Sequence, residues 1–392
     1  MTTTTAATAA TVVGIDLGTL TTKITLSSTH DFEIVRNAHG GHTTPTAVTF
    51  AGPTRPRLLG EDAADISRGD ENTVWMMDRL LTGSNNCCDT TDDDQKTMMM
   101  MQDFCRFQFD NHTSSVYIPN MDTTYDTTAL LAMLLGRVKR NVLATIQRRT
   151  GKNNDTNEDN EELEFVFAVP SNYPQVTRQA VMDAAYAVKV NKSRVVDGAR
   201  CLAAVYQRKF YDGQDDVVVE SNSNDDGDEQ KNTNKQKKTV LVVEMGHSRS
   251  CASILQCGGG GEESSSNKEE EEASQNQNDI PSSNNNVQVL STVSSATLGA
   301  AMIDIALFHH VQSNHPSLSH NTTLTPKSRP AQRLMEGCRK LKHILSMLPE
   351  GNVTVETIGK NDTDVSLSGN RELLKSKYEG QIMTFHVGEN TT

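Results

Sequence analysis

Short apolar runs, amphipathic stretches and long polar tracts alternate along this chain. Residues 12–17, "VVGIDL", form an apolar run that meets an acid at Asp16, a glycine at Gly18 and then the hydroxyls of Thr19, Thr21 and Thr22. An apolar run broken by Gly and followed by small hydroxyl residues predicts a buried strand entering a tight turn. "KITLSS" (23–28) and "TAVTF" (46–50) read as strands, with "RNAHGGHTTP" between them as a loop. In residues 129–146 the helical period places Leu131, Leu135, Val138, Val142 and Ile146 on one face. "FVFAVP" (165–170) reads as a buried strand closed by Pro170. Residues 176–188 read as a helix with Val176, Ala180, Ala184 and Val188 on one side, 239–246 as a strand and 333–348 as a late helix. Mixed strands and helices in this order predict α/β layers.

Three tracts interrupt the pattern: residues 151–162, 212–238 and 257–286 are polar, charged and nearly free of large apolar residues. Such composition cannot bury enough surface to offset the entropy of ordering, so the expectation is three disordered inserts, with residues 1–11 and 381–392 as disordered ends. The inserts carry −4, −4 and −6 against −13 for the whole chain, so the remaining scaffold is close to neutral. No basic stripe points to nucleic acid. No run approaches 18 apolar residues, and the Thr/Ala-rich start lacks a basic region and an apolar core. A membrane span and a targeting peptide are therefore not expected, and the seven cysteines, without C-x-x-C spacing, suit reduced thiols in a cytoplasmic protein.

The opening strand-acid-glycine pattern has an echo. Ile15-Asp16-Leu17-Gly18 is matched by Val243-Glu244-Met245-Gly246. Backbone N–H groups in such turns cradle phosphate, and the acid can hold a metal or its water. Two such turns, one per lobe, would bracket a nucleotide and its Mg²⁺. In a chain with 25 Gly they also arise by chance.

Eight stretches, in order, resemble the seventy-kilodalton heat-shock chaperone family. They are "GIDLGTLTTKITL", "EIVRNAHGGHTTPTAVTF", "RLLGEDAAD", "NTVWMMDRLLTG", "AVPSNYPQVTRQAVMDAA", "RVVDGARCLAAVYQ", "STVSSATLGAAMIDIAL" and "CRKLKHILS". The resemblance implies an actin-like α/β nucleotide-binding fold of two lobes around a cleft for ATP or ADP with Mg²⁺. It implies co-chaperones or client proteins as partners. Actin-like sugar kinases and acyl-dehydratase activators share the first loop but not the TTP segment or the 165–207 block. Residues 12–206 would form the first lobe and the start of the second, 239–256 the second phosphate-loop strands, and 287–380 the rest of the second lobe with its adenosine helix.

By the same resemblance Asp16 and Glu244 are the catalytic acids, Asp16 being on the metal side. Gly18, Thr19, Leu20, Thr21, Gly246, His247, Ser248, Gly299, Arg339, Lys342 and Ser346 line the nucleotide. The departures bear on activity. Asp78 stands where the family has its catalytic Lys, Gly198 where it has a Glu linked to Mg²⁺, and Cys251 where it has an acid. Asp197, beside Gly198, is a candidate substitute for that Glu. His247 and Ser248 replace glycines, Arg339 replaces an acid expected at the ribose, and Ala300 replaces a glycine. A charge reversal beside a polyphosphate removes transition-state stabilisation and adds repulsion, so the expectation is ATP hydrolysis impaired or lost. A closing "VGGSTRIP" segment and a peptide-binding domain are expected by the resemblance and do not follow residue 370, which reads as a truncated domain or a gene fragment. A non-catalytic interaction or regulatory module is the alternative.

Other groupings read as ordinary surface or filler. His39 and His42 in "HGGH" lack the Cys or carboxylate partners of a zinc site. Cys87–Cys88 reads as a loop, and the methionines of residues 97–104 as partly buried filler.

Overall fold

The computed structural model of the chain describes residues 11–27, 32–65, 70–82, 103–110, 113–151, 163–210, 238–257, 287–295, 298–318, 324–358, 363–377 and 379. The three polar inserts lie outside these residues except for Gly151, Lys238 and Cys257 at their edges. Residues 1–10 and 381–392, Cys87–Cys88 and most of the methionine strip are outside as well.

The opening run and its successor form a hairpin. Thr11–Leu17 pairs antiparallel with Thr21–Ser27 around the Gly18–Leu20 turn. Alternation places Val13, Ile15 and Leu17 in the core and leaves Asp16 on the other face. On its far side Thr11–Leu17 runs parallel to Leu163–Val169, which in turn runs parallel to Lys192–Asp197. Phe32–Ile34 extends the sheet beyond the hairpin, and Thr44–Pro45 pairs with the start of Thr21–Ser27.

Two helices cover one side. Thr127–Thr150 buries Leu131, Leu135, Val138, Val142 and Ile146, the face expected from the period, and runs longer at both ends than read from the pattern. Its limits have local causes. The Asp126 carboxylate accepts from the N–H groups of Thr128 and Ala129 at the start, and Gly151 at φ 63° ends it. Gln175–Ala187 turns slightly from the expected face: Thr177, Val181, Ala184 and Ala185 are buried, while Val176 is exposed. Arg178 explains the rotation. Its guanidinium is held by the carbonyls of Ser171 and Tyr173 and by Asp197, which sets the helix's roll against the sheet. Phe165 and Phe167, fully buried and edge to face at 6.0 Å, anchor the layer between. Each contributes roughly 1.5–3 kcal/mol by burial.

A second sheet is an antiparallel meander of Lys238–Met245, Ser250–Cys257 and Val287–Ser295. Helix Gly198–Phe210 packs Ala199 and Ala203 against Leu255 and Cys257. Helix Ala300–Asn314 then crosses to Arg329–Met347, whose start is capped by Ser328. The hairpin Glu350–Val355 with Val365–Asn370 lies on that last helix. The helix approaches so closely there that a Cβ on Gly337 would lie 2.3 Å from Val355. Among the described residues no helix is long and apolar enough to cross a membrane, and the five described cysteines are free.

Candidate functional site

The two strand-acid-glycine turns meet. The first sits at the carboxyl end of Thr11–Leu17 beside the carboxyl end of its parallel neighbour, the position where open α/β sheets gather ligands. Gly18 is needed there for space: a Cβ would lie 2.6 Å from the Thr21 carbonyl oxygen. Thr46, from the TTP segment, pins the turn by donating its hydroxyl to the Gly18 carbonyl (2.9 Å) and its N–H to the Leu20 carbonyl (2.9 Å).

Facing it, Gly246–Arg249 links the first two strands of the second sheet, with Gly246 N–H donating to the Arg249 carbonyl (2.8 Å). His247 and Ser248 take this turn without positive φ. Ser248 is buried, and its hydroxyl lies 2.7 Å from that of Thr19. Asp78, the second residue of the short helix Met77–Thr82, completes the contact. Thr19 donates to its Oδ2 at 2.9 Å and Ser248 reaches the same oxygen at 3.3 Å. Arg79, next in the helix, donates to the Ser248 carbonyl. Arg249 Nη2 lies 3.8 Å from Asp78 Oδ2. Its Nη1 donates to Asn172 (3.3 Å), and the guanidinium stacks 5.0 Å from the ring centroid of Tyr173. Burial and the nearby Asp78 push the Tyr173 hydroxyl well above its ordinary range, so it stays neutral.

A second cluster is acidic. Asp16, Glu244 and Asp197 share one side of the cleft. Asp16 reaches solvent, yet the protein walls around it raise its carboxyl, against the pull of Lys23 at 3.8 Å. Burial raises Glu244, and the charges of Asp16 and Asp197 raise it further. Asp197 pairs with Arg178 (2.5 Å) and Arg200 (3.8 Å). Gly198 follows directly: a Cβ there would lie 2.5 Å from Glu244 Oε1. Cys251 is the cross-strand partner of Glu244, and burial, then that carboxylate, raises its thiol. Among the described residues no three His, Cys, Asp or Glu side chains form a metal-binding group, and His39 pairs instead with Asp62 at 3.2 Å.

The third cluster joins the loop to the late helix. Gly299 lies against the second turn, where a Cβ would come within 2.6 Å of the His247 carbonyl oxygen. The N–H groups of Ala300 and Ala301 donate to the carbonyls of Gly246 (3.0 Å) and His247 (2.7 Å). Asp304 is the buried hub. Lys342 Nζ lies 2.6 Å from it, Arg339 Nε 3.7 Å and His247 Nδ1 4.0 Å. Lys342 also donates to the Ala300 carbonyl (3.1 Å), and Arg339 stacks over Trp75 at 5.4 Å. Ser346 stands apart, exposed, with its hydroxyl on the His343 carbonyl (2.7 Å).

The structure thus brings Gly18, Thr19, Gly246, His247, Ser248 and Gly299 together, and sets Arg339 and Lys342 on Asp304. Thr46, Asn172, Tyr173, Arg249 and Asp304 escaped the sequence reading. Two of these carried a signal: Asp304 is a lone acid in the apolar "AAMIDIALF", and Arg249 is a cation inside a phosphate-loop motif.

The sequence matches the family described as Hsp70 protein over residues 12–272, about two thirds of the chain. It is also 23% identical over 367 residues to a heat shock protein homolog of Naumovozyma castellii. That match covers 92% of this chain and 44% of the relative, so the chain spans less than half the relative's length.

Proposed function

The chain belongs to the Hsp70 family, and on that footing we propose that it binds ATP or ADP with Mg²⁺ between its two phosphate loops and hydrolyses ATP slowly or not at all. One observation carries the second half of this reading. The position beside the first loop that needs a cation for phosphoryl transfer holds the buried carboxylate of Asp78, hydrogen-bonded to both loops. Loss of a single preorganised electrostatic contact typically costs about 10²–10³ in rate.

The chain's own residues fit the rest of the ligand unevenly. Backbone N–H groups of Gly18 to Thr21 would take phosphate oxygens. Burial raises both Asp16 and Glu244, and the charge of Asp16 adds to the effect on Glu244, a condition suited to Mg²⁺ held by one or two carboxylates and substrate phosphates. Mg²⁺, when bound, supplies charge neutralisation of the β- and γ-phosphate oxygens. The adenosine side is weaker, because Arg339 and Lys342 already serve Asp304. We place the protein's role among chaperones, with co-chaperones or client proteins as partners.

The full chain, titrated with a fluorescent adenine nucleotide with and without Mg²⁺, should show weak, Mg²⁺-dependent binding. That binding should be lost in the combined Asp16→Ala, Gly18→Val variant. Unchanged affinity in that variant would remove the site assignment. Steady phosphate release at a rate typical of intact relatives, abolished by Asp16→Ala, would overturn the impaired-ATPase reading.

A second reading, an interaction module without turnover, draws on the outer face of the second sheet, which is apolar and exposed among the described residues. Leu241, Val243, Met245, Ile254 and Val293 are all exposed there.

A further inference from the structure

Arg249 is an unusual cation. It is 8% exposed, and a buried guanidinium is costly unless its donors are matched. Nη1 serves Asn172, and the flat face lies over Tyr173. The remaining edge, Nε with Nη2, finds no hydrogen-bond acceptor among the described residues. These two nitrogens project parallel N–H bonds and form the side-on fork with which Arg grips the paired oxygens of a carboxylate or phosphate. Asp78 faces Nη2 at 3.8 Å, near enough to balance charge and too far to hydrogen-bond. Its Oδ2 is instead held by the hydroxyls of Thr19 and Ser248.

We propose that Arg249 is the residue that recognises the terminal phosphate of a nucleoside triphosphate, and that Asp78 is an intramolecular anion standing in that place until phosphate displaces it. The inference rests on the reading of the cleft as a nucleotide site. Its geometry favours a tetrahedral oxyanion. The Arg249 fork takes two oxygens, and the hydroxyls of Thr19 and Ser248, 2.7 Å apart, offer further donors to the others. A carboxylate has only two oxygens; Asp78 meets the two hydroxyls through Oδ2 and leaves the Arg249 fork without a hydrogen bond. The charge pattern is then an exchange rather than a simple loss. The cation lost at position 78 reappears at 249 on the opposite loop, and the new acid covers it.

Such a device makes triphosphate affinity depend on a competition inside the protein. Removing the charge of Asp78 should favour the ligand; removing that of Arg249 should erase the benefit of a third phosphate. The full chain, Asp78→Asn, Arg249→Gln and the double variant would be titrated calorimetrically, in Mg²⁺, with ATP, ADP and orthophosphate. Circular dichroism melting would accompany each titration. The double variant keeps a neutral, hydrogen-bonding pair, so it remains informative if Arg249→Gln leaves Asp78 unbalanced and fails to fold.

The expected result is that Asp78→Asn tightens ATP about tenfold or more, the scale of a hydrogen bond to a charged group, and tightens ADP far less. In the double variant ATP and ADP should bind alike. Equal ATP-to-ADP ratios in the native chain, Asp78→Asn and the double variant would overturn the inference while leaving nucleotide binding intact. If none of the four proteins binds ADP or ATP, the nucleotide reading itself fails. Orthophosphate then decides the anion site alone: binding enhanced by Asp78→Asn and absent in the double variant supports it, and any other pattern overturns it. Orthophosphate bound as tightly as ATP would make the free ion, not the nucleotide, the ligand and would overturn the assignment to triphosphate.

Discussion

The carboxylate of Glu244 stands over the bare Cα of Gly198, where a Cβ would lie 2.5 Å from Oε1. The two residues are 46 positions apart, on the edge strand of the second sheet and at the first turn of helix Gly198–Phe210. The resemblance implies a Glu at position 198, and the chain has a glycine there. In space the Glu244 side chain occupies the room that a side chain at position 198 would need.

This coupling predicts different costs for two substitutions. Gly198→Ala should change stability by no more than about 1 kcal/mol, because the atom in the way is the tip of a flexible side chain and Ala favours the helix. Gly198→Glu should cost more, since it sets a new carboxylate against Glu244 and Asp16. Adding Glu244→Asp should recover part of the loss. Chemical denaturation of the three variants measures this, and equal midpoints for Gly198→Glu with and without Glu244→Asp would refute the coupling.

Glu244 gives a pH dependence of definite sign. Its carboxyl is raised in the folded chain above the ordinary 4.5, by burial first and then by Asp16 and Asp197. The folded state therefore holds the proton more tightly than the unfolded state. The group's contribution is most favourable below the ordinary value and is lost as pH rises through the folded value. Glu244→Gln should raise the melting temperature at pH 7.5, and the gain should fade as the pH is lowered toward 4.5. A gain that persisted or grew in acid would contradict the assignment.

Asp304 should be among the least tolerant positions. It is 1% exposed with Lys342 and Arg339 gathered on it. Burial raises its carboxyl, with the two cations opposing. Asp304→Ala leaves two largely buried cations without their partner, a change that typically costs about 3–5 kcal/mol. Thermal melting should show a large loss. Combining it with Lys342→Met should be less harmful than the sum of the two single changes. Strict additivity would mean that the ion pair does not hold these helices together.

Two thiols should be silent in the native chain. Burial pushes both Cys105 and Cys338 up to about 12, so almost no thiolate exists at pH 8. Mapping of a thiol reagent by mass spectrometry should find both unmodified in buffer and labelled in denaturant. Rapid labelling of Cys338 under native conditions would show that the late helix does not stay packed on its hairpin.

Periodicity made much of the scaffold legible. The apolar run of residues 12–17 ending at Gly18 marked the opening strand, and the 3.6-residue spacing from Leu131 to Ile146 marked the long helix, because these patterns reflect burial by local geometry. The helix ends also had local causes, the Asp126 cap and Gly151. The buried face of Gln175–Ala187 did not, since Arg178 sets it through contacts with the loop before the helix and with Asp197. The site lies further from sequence still. Loop composition marked Gly18, Thr19 and Gly246, whose backbone serves in any such turn. The pairing of Thr19 with Ser248 joins residues 229 positions apart, and Arg249 meets Asp78 beside it. No period connects such positions. Only the packing of the two sheets brings their side chains within reach, and it turns two unlike charges, each out of place in its own segment, into one buried pair.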